Sequence, residues 1–282
     1  MATRHALAVL STLAFAVPAG AGEVVRDLKA PSEALGREIS YALYRPDGAR
    51  GPLPTVYLLH GRNSKPADWL DMAHAADTAD RLIAEGRMPP CLIVLPDAGN
   101  SWYAGKMAAA VAGELPSWIE KRHGARAARG GRALVGNSMG GFGAVGIALA
   151  HPDRFVAAAS MSGAFWMALD EDKMLDADMT ARVGRVFEGA FGQPFAREIF
   201  LKHSPHALAS SYPAERAKPA IYLVSGADDR FGLSEQSRTM LRVLGVKGFD
   251  VAYETVPGDH EWGTWERSLP RALEFIARRW AP

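Results

Sequence analysis

A serine between closely spaced glycines is the strongest chemical signal in the sequence. Ser138 lies in the run GNSMG at residues 136–140. The run follows a predicted strand over residues 133–135 and begins a predicted helix over residues 140–150. A strand, a G-x-S-x-G turn and a helix in succession form a nucleophile elbow, in which a sharp turn presents the serine hydroxyl. The spacing therefore predicts that Ser138 is a nucleophile.

A serine hydroxyl needs a neighbouring base to take its proton. His260 follows the last predicted strand, residues 251–256, and is placed on a loop at the end of that strand. The carboxyl ends of parallel strands lie at one edge of a sheet, so this loop is expected near Ser138. His5 falls in the N-terminal segment, and the following lie on predicted helices or their ends or beside prolines: His74, His123, His151, His203 and His206. We therefore predict that His260 is the base.

The acid that orients the histidine is expected after the preceding strand. Residues 221–224 form an apolar run that leads into Gly226, Asp228 and Asp229. A carboxylate there would fix the imidazole tautomer and stabilise the imidazolium. We favour Asp229, three residues after the glycine, and keep Asp228 as the alternative. The resulting chain order is serine, acid, histidine, as in α/β-hydrolases.

Acyl transfer also needs N–H donors for the oxyanion that forms on the substrate. The predicted strand that ends at residue 59 is followed by Gly61 and Arg62, and Met139 follows the serine. We expect the backbone N–H groups of Met139 and Arg62, with Gly61 as a further candidate, to be these donors. The side chains of Arg62 and Lys65 are either anion-binding groups or solvated loop charges.

Short apolar runs alternate with longer amphipathic or alanine-rich stretches along the chain. The runs predict strands, and the stretches between them predict helices. This alternation is typical of an α/β domain with a mostly parallel central sheet flanked by helices. Strands are predicted at residues 38–45, 55–59, 92–95, 133–135, 156–160, 221–224 and 251–256, and helices at residues 66–85, 107–121, 140–150, 233–244 and 265–279.

Residues 165–211 break this alternation, because they are rich in charge and phenylalanine and contain no clear strand. We expect a helical insertion over the edge of the sheet that carries the active site. Such a segment is either a lid or substrate wall, or a packed structural excursion.

The N-terminus has the layout of a secretory signal. A basic start is followed by an uncharged run over residues 6–17 and by small residues at 19–21. The apolar run is shorter than the roughly 20 residues that a membrane-spanning helix requires. We predict that residues 1–21 are a signal peptide cleaved near Ala21, and that residues 22–282 form one domain that is secreted or periplasmic.

The charge composition excludes some classes of partner. The 282 residues contain 32 Lys and Arg against 31 Asp and Glu, without a long run of either sign. Nothing here predicts nucleic-acid binding or a stable membrane anchor. Cys91 is the single cysteine and lies in an apolar run, which indicates a buried thiol. No metal or organic cofactor is needed by serine-based chemistry.

Several of these runs resemble those of one esterase family of the α/β-hydrolase fold. That family includes S-formylglutathione hydrolases, feruloyl esterases, tributyrin-type esterases and mycolyltransferases. The resemblance covers most of residues 22–282. It is carried by YLLHG at 57–61, LPDAGNSWY at 95–103, GNSMGGFGA at 136–144, GADD at 226–229 and HEWGTW at 260–265.

The resemblance implies triad roles for Ser138, Asp229 and His260. It places Trp102 and Tyr103 beside the acyl or alcohol pocket, with a core position as the alternative for both, and we expect Trp262 to contact the substrate as well. It further implies a serine carboxylesterase that hydrolyses small or aromatic esters through an acyl-enzyme. An acyltransferase of the mycolyltransferase kind is the alternative with the same residues. A non-catalytic binding module on a hydrolase fold is the second alternative.

Overall fold

A single twisted sheet organises the chain. The computed structural model describes residues 20–169 and 177–280, and within these residues the sheet has eight strands in the order β1-β2-β4-β3-β5-β6-β7-β8. The first three in this order pair antiparallel, and all pairs from β4 onward are parallel. The strands are β1 (Glu23–Ala30), β2 (Ile39–Arg45), β3 (Thr55–Leu59), β4 (Leu92–Pro96), β5 (Arg132–Asn137), β6 (Ala157–Met161), β7 (Ala220–Gly226) and β8 (Val251–Val256).

Helices connect the parallel strands, as right-handed crossovers require. They are α1 (Pro66–Asp71), α2 (Ala75–Ala84), α3 (Gly105–Ala109), α4 (Leu115–His123), α5 (Met139–Ala150), α6 (Ala177–Phe187), α7 (Arg197–Leu201), α8 (Pro205–Ser210), α9 (Leu233–Val246) and α10 (Trp262–Ala277). A π-helical turn, Ala110–Glu114, joins α3 to α4. The expected α/β-hydrolase architecture is confirmed.

Both faces of the sheet are covered, so its central strands are buried completely. In β3, Tyr57 and Leu59 pack in one core with α4, α5 and α9, and Val56 and Leu58 pack in the other with α1, α2 and α10. This explains why the strand is continuously apolar rather than alternating. Cys91 lies in the second core, where burial raises the pKa of its thiol to about 12.

Some predicted elements differ from the structure in their bounds, and one strand was not predicted. The helix expected at residues 66–85 is two helices, α1 and α2, separated by a break at His74, whose φ is 46°. The last helix begins at Trp262 rather than at residue 265. Strand β1 was not predicted, because it is an edge strand with mostly exposed side chains and a register shift between Val25 and Leu28.

The described part of residues 165–211 contains α6, α7 and α8 and no strand, which agrees with the predicted helical insertion. Phenylalanine rings of this insertion pack against α5, on the face of the sheet that α5 covers. Phe142 of α5 lies 6.0 Å from Phe191 and 6.1 Å from Phe200, between ring centroids. Residues 170–176 of the insertion, and residues 1–19 of the predicted signal, lie outside the described residues.

None of the helices in the described residues combines the length and apolar character needed to span a bilayer.

Close approach of α5 to β3 predicts that Gly140 does not tolerate a side chain. A Cβ at Gly140 would overlap the backbone carbonyls of Leu59 and His60. We expect Gly140→Ala to lower the free energy of unfolding by about 2 kcal/mol or more, through overpacking. Thermal denaturation measures this change.

Gly113→Ala is the matched control, because a Cβ there meets no heavy atom within 4 Å and the residue is helical. We expect this variant to unfold at or above the wild-type temperature, since alanine favours helix by up to about 1 kcal/mol over glycine. Equal melting temperatures for the two variants would contradict the close packing of α5 against the end of β3 at Gly140.

Candidate active site

Ser138 occupies a sharp turn between β5 and α5. Its backbone has φ 52° and ψ −116°, a conformation that costs of order 1–3 kcal/mol for a non-glycine residue. The turn is held on both sides, since the Ser138 N–H donates to the Met161 carbonyl at 2.9 Å and its own carbonyl accepts from Phe142 at 3.0 Å. A Cβ at Gly136 would overlap the Gly140 backbone, so only glycines allow this approach.

The His260 imidazole joins the serine to a carboxylate. Its Nε2 lies 3.0 Å from Ser138 Oγ, and its Nδ1 lies 3.0 Å from Asp229 Oδ2. The rings of Phe231 and Trp265 meet the imidazole edge-on, each with its centroid 5.0 Å from that of His260. The side chain is only 11% exposed. This arrangement can move a proton from a hydroxyl to an imidazole while a carboxylate holds the ring.

Burial distinguishes the two candidate acids. The Asp229 side chain is completely buried, whereas Asp228 is exposed and meets the His260 loop through its backbone N–H, which donates to the Gly258 carbonyl at 3.0 Å. Burial raises the pKa of Asp229, but the hydrogen bond and charge of His260 and the N–H groups of Phe231 and Leu233 outweigh it. The net pKa is lowered, so the carboxylate is ionised at neutral pH. The structure therefore brings Asp229, not Asp228, to the histidine.

A second carboxylate, which the sequence did not single out, links the two loops of this site. Asp259 Oδ1 accepts from the N–H groups of Arg230 and His260 at 2.7 and 2.6 Å, and the Arg230 guanidinium lies 2.8 Å from Oδ2. The Arg230 side chain and these N–H groups lower the pKa of Asp259 to about 2. Adjacency to His260 was the available signal, but hydrogen bonds across 29 residues cannot be read from sequence.

The loop after β3 lies against the serine. A Cβ at Gly61 would be 3.2 Å from Asn137 Nδ2 and 3.4 Å from Ser138 Cβ, so the loop backbone passes beside the nucleophile. Met139 is the first residue of α5, and the first-turn N–H groups of a helix have no partner within it. The structure thus places the three predicted oxyanion donors, Gly61, Arg62 and Met139, on two segments that meet at Ser138.

Two residues expected to contact the substrate lie elsewhere. Tyr103 is 1% exposed, and its hydroxyl donates to the His60 carbonyl at 3.3 Å, beneath the loop after β3. Trp262 packs edge-on against Trp69 and Trp265, with ring centroids 5.3 and 5.0 Å away. Neither residue lines the cavity beside the serine, because packing against the core turns both side chains away from it. For Tyr103 this is the core position that the sequence left open, and the substrate contact of Trp262 stays a prediction.

A cavity of about 340 Å³ opens over Ser138 and His260. Trp102 lines it, as expected, and so does the Arg62 side chain. Sequence reasoning did not name the other lining residues, which come from the segment after β6, from the insertion, from the loop before α9 and from the first turn of α9. They are Ala164, Trp166, Arg182, Val186, Phe231, Leu233 and Gln236. Phe231 is 61% exposed, an unusual position for a large apolar side chain and one that favours a role at the mouth of a binding site.

The sheet order and the elbow, with a histidine and an acid from two later loops, define an α/β-hydrolase with serine-hydrolase contacts. The chain belongs to the esterase family described as "Putative esterase", whose model matches residues 32–276. It is an enzyme that hydrolyses carboxylic esters.

Known proteins of this kind resemble the chain over most of its length. An acetyl esterase of Caldicellulosiruptor saccharolyticus is 25% identical, covering 80% of this chain and 84% of the relative. The MPT51/MPB51 antigen of Mycobacterium bovis is 27% identical, covering 90% and 87%. The solved structure of a ferulic acid esterase has a TM-score of 0.75 at 24% identity, covering 92% and 98%. The last likeness establishes the shared fold.

The contrast between the two adjacent aspartates generates a paired prediction. We expect Asp229→Asn to lower kcat for ester hydrolysis by about 10³–10⁴-fold, because an amide cannot fix the same tautomer or stabilise the imidazolium. Asp228→Asn, at the exposed neighbour, should stay within about twofold of wild type. Steady-state kinetics on a p-nitrophenyl ester measures both. A large loss in the Asp228 variant with an active Asp229 variant would reverse the assignment.

Proposed function

We propose that this protein is a serine carboxylesterase that acts through an acyl-enzyme on Ser138. The observation that carries the proposal is the unbroken chain of contacts from Ser138 Oγ through His260 to the buried Asp229, with 3.0 Å at each step. The distance from Ser138 Oγ to His260 Nε2 falls within the range over which a base takes a proton from a nucleophile. The distance from His260 Nδ1 to Asp229 Oδ2 is that of the hydrogen bond that orients the base.

The reaction has two acyl-transfer steps. Ser138 Oγ attacks the ester carbonyl carbon and gives its proton to His260 Nε2, and Asp229 stabilises the imidazolium. The tetrahedral oxyanion accepts hydrogen bonds from the N–H groups of Met139 and Arg62, with Gly61 as the further donor. The C–O bond then breaks, and the alcohol leaves with the proton from His260. Water repeats the sequence on the acyl-enzyme, releasing the acid and restoring the serine.

The cavity supports small or aromatic esters as the substrate class. Its volume of about 340 Å³ lies at the lower end of ligand pockets, which span roughly 300–1,000 Å³. The rings of Trp102, Trp166 and Phe231 contribute flat apolar surface, suited to an aliphatic or aromatic acyl group. The acetyl esterase relative and the ferulic acid esterase fold neighbour act, by their names, on esters of these two kinds.

Substrate profiling with an inactive control tests the proposal. We expect hydrolysis of p-nitrophenyl esters to peak at short acyl chains, with activity on methyl ferulate as the aromatic probe. Ser138→Ala should lower kcat by about 10⁵-fold or more, and it should abolish labelling by a fluorophosphonate.

The remaining outcomes separate the alternatives. Labelling of Ser138 without ester hydrolysis, but with acyl transfer to an added alcohol, would indicate an acyltransferase. A wild-type protein that is neither labelled nor active would be a binding module on a hydrolase fold, and the proposal would fail.

We also propose that the protein is exported and that its mature chain begins at Gly22. The Gly22 nitrogen lies 3.0 Å from both carboxylate oxygens of Asp80, which also accepts from the Tyr44 hydroxyl at 2.6 Å. Cleavage after Ala21 would turn this amide nitrogen into an α-ammonium group that faces a carboxylate. A Cβ at Gly22 would collide with the Tyr44 ring, so the position accepts only glycine. These contacts support cleavage at this bond.

A mature N-terminus at Gly22 predicts the intact mass of the exported protein and the effect on Tm of removing the Asp80 charge. We expect the intact mass of protein recovered outside the cytoplasm to correspond to a chain that starts at Gly22. Asp80→Asn should then lower Tm by about 3–6 °C, because the ammonium loses its charged partner. Asp77→Asn, on the same helix but with an 84% exposed side chain, is the control and should change Tm little. A mature chain that retains residues before Gly22 would contradict the predicted cleavage.

A further inference from the structure

The loop that follows β3, residues 60–63, carries two of the three proposed oxyanion donors but is not part of a helix or strand. Such a loop must be fixed from outside if its N–H groups are to point at the substrate. At its start, His60 is completely buried, its Nδ1 meets the Gly61 carbonyl at 2.8 Å, and its Nε2 accepts from the Ala98 N–H at 3.1 Å. The first half of the loop is therefore anchored in the core.

The second half is anchored by a side chain from the loop after β4. Asn100 Oδ1 accepts from the Asn63 backbone N–H at 2.8 Å, and Asn100 Nδ2 donates to Asn63 Oδ1 at 2.8 Å. Two parallel contacts fix both the position and the orientation of Asn63. The anchor holds an unfavourable backbone, because Asn63 has φ 58°. Arg62, between Gly61 and Asn63, is thus held at both ends.

A carboxylate from the insertion completes the anchor. The Glu188 oxygens lie 3.2 and 3.1 Å from Asn100 Nδ2, and Glu188 Oε1 lies 2.7 Å from Arg62 Nη2. The hydrogen bond from Asn100, and then that from Arg62, lower the pKa of Glu188. One ionised side chain therefore ties together the loop after β3, the loop after β4 and the residue that follows α6.

We propose that Asn100 and Glu188 are positioning residues for the oxyanion donor of Arg62. This inference rests on the proposed function, since it concerns how the same site binds the oxyanion. Neither side chain lines the cavity, so their effect acts through the loop backbone. A misplaced donor lowers kcat, because loss of one oxyanion hydrogen bond lowers it by about 10²–10³-fold. We expect that removing one of the anchoring side chains lowers kcat by a smaller factor.

The same contacts couple the donor to the cavity wall. Val186, two residues before Glu188, lines the cavity, and its carbonyl accepts from Trp102 Nε1 at 3.2 Å. The insertion therefore holds the Arg62 side chain and the substrate wall through one short segment. Displacement of this segment would move both.

The test compares Asn100→Ala and Glu188→Ala with wild type. We expect kcat on a short p-nitrophenyl ester to fall by about tenfold in each, with KM within twofold. The inhibition constant of a trifluoromethyl ketone, which forms an oxyanion on the serine, should rise by the same factor, as should the time for half-labelling by a fluorophosphonate. Glu85→Ala is the matched control, since Glu85 also pairs with arginines and has 41% side-chain exposure against 44% for Glu188.

A swapped pair distinguishes positioning from general destabilisation. Asn100→Asp alone places two carboxylates together and should be as impaired as the alanine variant. Asn100→Asp combined with Glu188→Gln restores one donor and one acceptor between the two residues, and kcat should recover to within about threefold of wild type. This rescue keeps the proposal falsifiable if an alanine variant fails to fold.

Wild-type kcat and ketone affinity in both alanine variants would overturn the inference, as would a rise in KM alone. Failure of the proposed function looks different. In that case the wild type would show neither hydrolysis nor labelling, or Ser138→Ala would retain both, whatever the Asn100 and Glu188 variants do.

Discussion

The backbone of one residue constrains the whole site. Ser138 turns the chain from β5 into α5 with φ 52° and ψ −116°, and its oxygen stands at the carboxyl edge of the sheet. The strain is stable only because the neighbouring glycines let β5, α5 and β3 approach without side chains between them, and because a hydrogen bond from Ser138 N–H to β6 holds the turn. The His260 imidazole and the loop after β3 both lie against this fixed point.

The parallel sheet supplies the other two groups without further strain. Strands β7 and β8 lie side by side next to β6, so the loops that follow them meet at the same edge as the serine turn. Asp259 then fastens these two loops together, through the N–H groups of Arg230 and His260. The imidazole is therefore positioned by its own loop, by the buried Asp229 and by two flanking rings, and little freedom is left to it.

The side of the site that faces the substrate is assembled differently. Two of its three proposed donors lie on a loop held by side chains, and its cavity wall comes largely from the insertion and from the start of α9. These contacts are more exposed than the sheet core, and exposed ion pairs contribute little to stability. Their importance lies in geometry rather than in stability. Chains with the same sheet and elbow can therefore differ in substrate without differing in fold.

The sequence by itself determined the elements whose signals are local. The glycine spacing around Ser138, the continuous apolar runs of the buried strands and the position of His260 after the last strand are properties of near neighbours along the chain. These local signals were sufficient to predict the architecture. They also identified the serine as the candidate nucleophile, the histidine as the candidate base and two adjacent aspartates as candidate acids. Edge strand β1 was missed, because its exposed residues carry no apolar pattern.

Only the tertiary structure decided where side chains point. The sequence favoured Asp229 but kept Asp228 as the alternative, and only the structure shows that Asp229 is buried against the imidazole while Asp228 is exposed. Tyr103 and Trp262 are aromatic residues beside recognisable motifs, yet Tyr103 is buried in the core and Trp262 packs against Trp69 and Trp265. The Asn100–Glu188 anchor joins segments as much as 126 residues apart, and the cavity wall joins segments that are further apart still. Contacts of that separation are set by sheet order and packing, and no local pattern encodes them.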